Sequence, residues 1–600
     1  MKHGVRGIRA GSICSAIGIQ RIAFVTLILA SAFLSIGCKR EVPSKGSTTS
    51  ESPISAVSAK SGTTKSTADV VVQLAYGSEK KSWLSDAMKR FNAKNPHLAS
   101  GEAIHVEGIA VGSGAAVEDL ADGTVKAHAW VPASSMYRDV LNRAWTKHQG
   151  AIGGKKDLAN EGKSIALSPI VLAMWKPMAI ALGWPQKPVG WSDVLALSRN
   201  PKGWASKGHP EWGGFKFGHT HPTMSNSGTL SVLAETYASL GQTRGLTEPF
   251  LAKPKTMAYV ESIEESVVHY GKSTGFFADK MLERGPGFLS AAVLYENLVV
   301  DSYQRPEFKN RDLDLVCVYP KEGTFWIDNP YYILEAPWND TLHVLAAAQF
   351  RDFLLARDEQ TVAMTQFGFR PSDPSIAIAA PLDKEHGVDP KEPQTLLEIP
   401  SVEVVDAALQ LWAKVKKTVD IAFVFDRSGS MKGEPLQEAK QGALDFLKQL
   451  DGRDRVSLLM FNNTVPDLIE PVPVGQSHEL LAQTVNDTFA SGGTALYDAI
   501  IKAHATLNAL AKRYPKRIYA IVVLTDGNDE HSKQSLADAR AAITPSAESD
   551  QAVVRLFTIA YGNGADNRVL ADLAEIGGGA SFKGDAASIR QVYRDLAAFF

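Results

Sequence analysis

Three short stretches of the chain gather oxygen-bearing side chains. Asp426-Arg427-Ser428-Gly429-Ser430 sets a carboxylate and two hydroxyls on alternate residues. Gly492-Gly493-Thr494 offers a hydroxyl beside two residues without side chains, and Thr525-Asp526-Gly527 offers a second carboxylate. Such oxygens are hard donors of the kind that Mg²⁺ and Ca²⁺ accept. Taken alone, Asp-x-Ser-x-Ser is also an ordinary helix-capping turn. A second group of hydroxyls lies earlier, in small polar loops: Ser78, Ser113, Ser134, Ser168 and Ser227, with Tyr295. A hydroxyl next to the unpaired N–H groups of a helix N-terminus can bind an oxyanion without a basic residue. Each serine by itself reads equally as an N-cap or turn residue. No charged residue is clearly placed among them to define a ligand.

Two other patterns carry less. Ser78-x-x-Lys81 has the spacing of a serine–lysine nucleophile pair, but neither Lys-Thr-Gly nor a Gly-x-Ser-x-Gly elbow accompanies it. The chain therefore reads as a binding protein rather than an enzyme. His219 and His221 alternate along an extended segment and face opposite ways. With no third ligand in the neighbouring sequence, they read as core residues. Trp204, Trp212, Phe215 and Phe217 read as the packing of a long loop.

The elements that must position the first group are legible. Val419–Phe425 is a continuous apolar, β-rich run that leads straight into Asp426. Leu436, Ala439, Ala443 and Phe446 keep helical spacing across a helix expected over 434–450. Further strands are expected over 456–461, 518–524 and 553–559, and helices over 491–510, 569–576 and 589–600. Alternating strands and helices predict a doubly wound sheet with its site at the C-terminal strand edge. All three oxygen-rich stretches fall on that edge.

Residues 418–600 thereby resemble a von Willebrand factor A domain. The resemblance implies a metal-ion-dependent adhesion site formed by Asp426, Ser428, Ser430, Thr494 and Asp526. It implies Mg²⁺, or another divalent cation such as Mn²⁺ or Ca²⁺, with the two aspartates often acting through water. With few direct carboxylates the ion stays under-neutralised, and a protein partner's acidic residue can complete it. Asp498 and Asp529 lie outside the motif and take helix and loop roles.

Residues 69–405 alternate strand, small polar loop and helix, the βα unit of a mostly parallel sheet. The order of the serine-bearing loops resembles a two-lobed, type II periplasmic solute-binding protein, nearest the molybdate and sulfate binders. That resemblance implies two α/β lobes, two crossing segments near 166–174 and 314–319, and hinge closure. It also implies a small solute or oxyanion in the cleft, held by Ser78, Ser113, Ser134, Ser168, Ser227 and Tyr295. A linker is expected over 406–417.

The rest of the chain gives an address. Its 600 residues suit several compact units, and its net charge of -2 gives no electrostatic reason to expect nucleic acid. Lys2, Arg6, Arg9 and Arg21 precede an apolar stretch, 22–37, that is shorter than the ~20 residues of a membrane-spanning helix. It ends in Leu34-Ser35-Ile36-Gly37-Cys38, which resembles a lipoprotein signal peptide over 1–37 lipidated at Cys38. A Ser-, Thr-, Lys- and Gly-rich tether follows over 38–68. The expectation is a binding protein outside the cytoplasmic membrane, held there by a lipid anchor. Its alternative is an assembly scaffold with a ligand-free solute-binding fold. Of three cysteines, Cys317 alone remains for the folded part, in an apolar run that reads as core.

Overall fold

A computed structural model describes residues 69–149, 157–308, 313–544, 553–562, 564–585, 588–597 and 599–600. The stretches expected as signal peptide and tether, with Cys38, lie outside the described residues. No helix among the described residues is long and apolar enough to cross a membrane.

Three mixed α/β sheets organise the chain. The first has the order Ile104–Ala110, Val70–Tyr76, Ala129–Val131, Pro330–Leu334, Ala159–Ser164; the first three strands are parallel and the last two run against their neighbours. The second has Trp326–Ile327, Ser168–Trp175, Ala291–Tyr295, Phe217–Thr220 and Val267–Gly271 in order, with Leu315–Val318 also paired to Ser168–Trp175. Each sheet is the centre of one lobe. Both lobes are therefore built from interleaved parts of the sequence.

The chain crosses between lobes at 165–167, between the strands Ala159–Ser164 and Ser168–Trp175, and returns at 328–329. The second crossing is thus not at 314–319. Leu315–Val318 is a buried strand inside the second lobe, antiparallel to Leu172–Trp175. An apolar run of that kind satisfies its backbone only within a sheet, so it cannot serve as an exposed hinge. A third passage follows the helices Thr341–Leu355 and Arg357–Phe367, which pack on the first lobe. There the Arg370 guanidinium donates from Nε and Nη2 to the two carboxylate oxygens of Glu296, each at 2.7 Å. The segment expected as a linker falls on a helix, Val402–Val415, whose apolar face (Val404, Val405, Ala408, Leu411, Trp412) is buried. Cys317 is a free, buried thiol in the strand Leu315–Val318. Trp204 and Phe217 are fully buried, and Phe215 and Trp212 pack at their edges.

The third sheet has the order Val472–Pro473, Arg455–Phe461, Val419–Asp426, Ile518–Thr525, Val554–Tyr561, Gly578–Gly584. All its pairs are parallel except that of the short edge strand Val472–Pro473. Val419–Asp426 is buried along its whole length. Phe423 and Phe425 point to one face, where Phe423 meets Phe446 and Tyr593 of the helices Glu434–Gln449 and Ile589–Ala597. Ala422 and Val424 point to the other, toward the helix Leu496–Arg513. Helices on both faces explain why this strand is apolar at every position from Ile421 to Phe425 rather than at alternate ones. The result is a doubly wound sheet whose C-terminal strand edge is free to carry loops.

Candidate metal-binding site and inter-lobe cleft

Asp426 ends the strand Val419–Asp426 and is fully buried. Its Oδ1 accepts from the Ser428 backbone N–H at 2.8 Å, and its Oδ2 accepts from the Thr525 hydroxyl at 2.5 Å. Ser428 Oγ and Ser430 Oγ lie 3.0 Å apart, and Ser430 Oγ donates to Asp526 Oδ1 at 2.8 Å. Thr494 is buried; its Oγ1 sits 3.3 Å from where a Cβ on Gly527 would lie, next to Asp526. Five side chains from three loops thus meet at one edge of the sheet.

Backbone bonds fix those loops. Gly429 N–H donates to Gly492 O at 2.8 Å, and Ser491 N–H donates to Arg427 O at 2.8 Å. Gly492 has φ +77, a left-handed conformation that costs a residue with a Cβ roughly 1–2 kcal/mol. A Cβ on Gly493 would lie 2.3 Å from the His531 ring. The Gly-Gly pair is therefore what lets Thr494 reach the edge. Asp498 accepts from Lys533 N–H and Gln534 N–H, at 2.9 and 3.0 Å, and Asp529 accepts from Tyr497 N–H at 3.2 Å. Both tie down the neighbouring loop rather than join the cluster.

Electrostatics favour a cation. Burial pushes the Asp426 carboxyl up to about 6, and burial also raises that of Asp526. Among the described residues neither carboxylate has a Lys or Arg ion pair. A buried carboxylate without a counter-charge is costly, and the remaining donors are neutral hydroxyls. This donor set fits a hard divalent ion, with Ser428, Ser430 and Thr494 as neutral oxygens and the two aspartates as charge. Such an ion would act as a Lewis-acidic anchor for an incoming carboxylate. Beside it Phe489 is 69% exposed, with the Arg427 guanidinium 5.7 Å from its ring centre.

The inter-lobe residues are arranged differently. Ser113, Ser134, Ser168, Ser227 and Tyr295 are all buried, and each is already hydrogen-bonded within the protein. Ser113 Oγ accepts from Ala133 N–H (3.0 Å), and Ser134 Oγ from Met136 N–H (3.2 Å). Ser168 Oγ bonds Asn297, and Ser227 Oγ lies 2.7 Å from Thr220 Oγ1 and 2.8 Å from Thr274 Oγ1. Asn226 donates to the Tyr295 hydroxyl at 3.0 Å. Ser78 stands at the seam, its Oγ accepting from Gly275 N–H at 3.1 Å; it also lines a surface groove of about 650 Å³ with Glu79, Lys272 and Asp301. Lys81, its partner in the serine–lysine spacing, is exposed.

The lobes are shut on one another. Ala115 N–H donates to Met224 O at 3.0 Å, and a Cβ on Gly112 or Gly114 would lie 2.4 or 2.3 Å from the facing carbonyls of Met224 and Thr223. Between them the chain does hold charged groups. Lys80 and Glu79 form a buried ion pair, and Lys80 Nζ also donates to Asn329 Oδ1 at 3.0 Å. Sequence reasoning passed over this pair because consecutive Glu and Lys read as solvated helix ends; only Asn329, from the return crossing, marks Lys80 as interior.

Residues 72–370 match the family described as bacterial extracellular solute-binding protein, and residues 420–594 match the von Willebrand factor type A domain. An uncharacterised protein of Synechocystis is 32% identical over 113 residues, which is 19% of this chain and 26% of that protein. Inter-alpha-trypsin inhibitor heavy chain H4 of Sus scrofa is 29% identical over 124 residues, or 20% of this chain and 13% of that one. The chain thus spans about a quarter or less of these two relatives. Among solved structures, a periplasmic thiamin binding protein covers 58% of this chain and is itself covered to 96%, at 13% identity and a TM-score of 0.40. A von Willebrand factor type A protein from Catenulispora acidiphila covers 30% and is covered to 42%, at 20% identity and a TM-score of 0.26.

Proposed function

We propose that this chain, which joins a bacterial solute-binding-protein domain to a von Willebrand factor A domain, docks a protein partner through a Mg²⁺ ion. Asp426, Ser428, Ser430, Thr494 and Asp526 hold the ion, and the partner supplies an Asp or Glu to it. The observation that carries this reading is the meeting of two carboxylates and three hydroxyls at one strand edge, with no cationic side chain among the described residues paired to either carboxylate. Exposed Phe489 and half-buried Arg427 supply an apolar and a cationic contact beside the ion, suited to an acidic segment. The protein works outside the cytoplasmic membrane, tethered by a lipid on Cys38. The tether rests on the sequence of residues 1–68 alone.

The partner interaction is tested by pull-down with the full-length chain in Mg²⁺ and in EDTA, repeated with Asp426→Ala. Partners retained in Mg²⁺ and lost both in EDTA and in the variant support the reading. Equal capture in all three overturns it.

One observation favours a second reading of the first domain, as a scaffold rather than a solute carrier. The protein's own side chains occupy the interior of the seam: the Glu79–Lys80–Asn329 chain stands between the lobes, and the buried serine hydroxyls are already bonded within the protein, while the groove at Ser78 stays open. A small solute or oxyanion that shifts the unfolding temperature of the full-length chain would overturn the scaffold reading and restore Ser78, Ser113, Ser134, Ser168, Ser227 and Tyr295 as ligand residues.

A further inference from the structure

A second polar cluster lies inside the second lobe, on elements other than those of the strand-edge site. His219 lies in the strand Phe217–Thr220, Glu235 comes from the helix Asn226–Leu240, and Glu264 ends the helix Pro254–Glu264. All three are fully buried, and one ligand atom from each lies within 4.8 Å of the other two. Two carboxylates are thus enclosed together. Among the described residues neither has a Lys or Arg ion pair; the one ion-pair contact is between His219 and Glu264.

The hydrogen bonds show what is missing from this cluster. His219 Nδ1 lies 2.7 Å from the Thr220 carbonyl, which can only accept, so Nδ1 carries a proton. In the neutral ring Nε2 then presents a bare lone pair, and it sits 2.9 Å from Glu264 Oε1, another acceptor. Two lone pairs at that distance call for a positive species between them. A proton on either atom would satisfy this contact and leave Glu235 unserved, because Glu235 Oε2 has no hydrogen-bond partner among the described residues. A divalent ion satisfies both: it replaces the clash of lone pairs, gives Glu235 Oε2 a partner, and balances two negative charges.

The surroundings are those of a held ligand set. Glu264 Oε2 accepts from the Tyr270 hydroxyl at 2.7 Å and from Trp412 Nε1 at 3.2 Å. Glu235 Oε1 accepts from the Ser231 hydroxyl at 2.9 Å. Each carboxylate therefore has one oxygen fixed by a donor and the other turned inward. The imidazole is fixed through its far nitrogen, as metal-binding histidines are. Tetrahedral ligands at ~2.1 Å from an ion stand roughly 3.4 Å apart, so closing this set takes side-chain movement of only about 1 Å.

We propose that His219, Glu235 and Glu264 bind a divalent transition-metal ion, zinc by its nitrogen-and-oxygen donor set, as a structural site. Trp412 belongs to the helix Val402–Val415, which runs on to the strand Val419–Asp426. The ion therefore stiffens the contact through which the second lobe holds the connection to the C-terminal domain. The sequence hides the site because its ligands are separated by 16 and 29 residues and belong to three elements. His221 lies past the end of the strand, and its ring packs on Tyr270 and Trp412, the same Tyr270 that His219 meets, so the two histidines do not face opposite ways as an extended segment would have them.

The test is the metal content of the full-length chain, produced with zinc in the medium and purified without chelator. About one zinc per chain is expected in the wild type and in Asp426→Ala, and at least tenfold less in Glu235→Gln, which keeps the side chain's shape. X-ray absorption of the wild-type zinc should show one imidazole among oxygen ligands, a readout that does not depend on a variant folding. Less than a tenth of an equivalent in the wild type overturns the proposal. So does zinc that Glu235→Gln retains, or zinc that is lost in Asp426→Ala.

Discussion

The Thr525 hydroxyl donates to Asp426 Oδ2 at 2.5 Å, joining the ends of two adjacent parallel strands beneath the loops that carry Ser428 and Ser430. That bond aims the buried carboxylate, whose other oxygen is held by Ser428 N–H. Thr525→Val keeps the shape of the side chain and removes the donor. Mg²⁺ affinity should fall roughly 10- to 100-fold, the usual effect of losing a group that orients a ligand. Calorimetric titration measures it; unchanged affinity would mean that Asp426 does not depend on Thr525 for its position.

The shut lobes give a second prediction. Gly114 has no room for a side chain, since a Cβ there would meet the Thr223 carbonyl at 2.3 Å. Gly114→Val should wedge the lobes apart and raise the radius of gyration in small-angle scattering. The C-terminal helix Ile589–Ala597 touches both lobes, with Arg594 3.8 Å from Asp119 and Lys272 3.0 Å from Asp595. Partner affinity should therefore change with the wedge. These pairs are partly exposed and individually weak, so the change should be modest, within about tenfold. A wedge that opens the lobes and leaves partner affinity untouched would show the two domains to be uncoupled.

How much of this was legible depends on whether interacting groups are neighbours in the chain. The strand Val419–Asp426 and the motif after it are contiguous, so one apolar run and one spacing rule locate them. Asp526 follows because a parallel strand delivers its C-terminal loop to the same edge, whereas Thr494 lies between the helices Val474–Asn486 and Leu496–Arg513 and is brought there by the backbone bonds of Gly492 and Ser491 with Gly429 and Arg427. The crossing at 328–329 was not legible, since Leu315–Val318 looks like any buried strand and the turn at Asp328-Asn329 has no apolar signature. The pairing of Lys80 with Asn329, and of Glu264 with His219 and Trp412, spans 45 to 249 residues. No periodicity reports such contacts; they exist only once the sheets have placed both partners.

The buried Glu79–Lys80 pair predicts a non-additive response. Lys80→Met leaves an uncompensated carboxylate between the lobes and should cost about 3–5 kcal/mol of stability. The double variant Glu79→Gln/Lys80→Met should recover most of that loss, because the charge and its partner leave together. Urea unfolding of the three proteins decides it. Equal losses in the single and double variants would mean that the pair is not electrostatically coupled.

Asp301 predicts a pH effect. Burial raises its carboxyl to about 6, despite Arg305 3.6 Å away. A folded-state value above the unfolded value of ~3.9 means that the folded state favours the protonated acid. Its contribution to stability is full below about pH 4 and is lost as pH rises through 6. Asp301→Asn should therefore stabilise the chain by about 1–2 kcal/mol at pH 7.5 and flatten the decline between pH 4 and 6. Thermal unfolding across that range checks both; a variant less stable at pH 7.5 than the wild type contradicts the assignment.

In the function proposed above, Asp426, Ser428, Ser430, Thr494 and Asp526 form one divalent-cation site. Calorimetric titration of Mg²⁺ into the full-length chain and into Asp426→Ala tests it most directly. One saturable Mg²⁺ site per wild-type chain, absent from the variant while its fold is retained, is the result expected. Equal Mg²⁺ uptake by the two proteins, or none by the wild type, would contradict it.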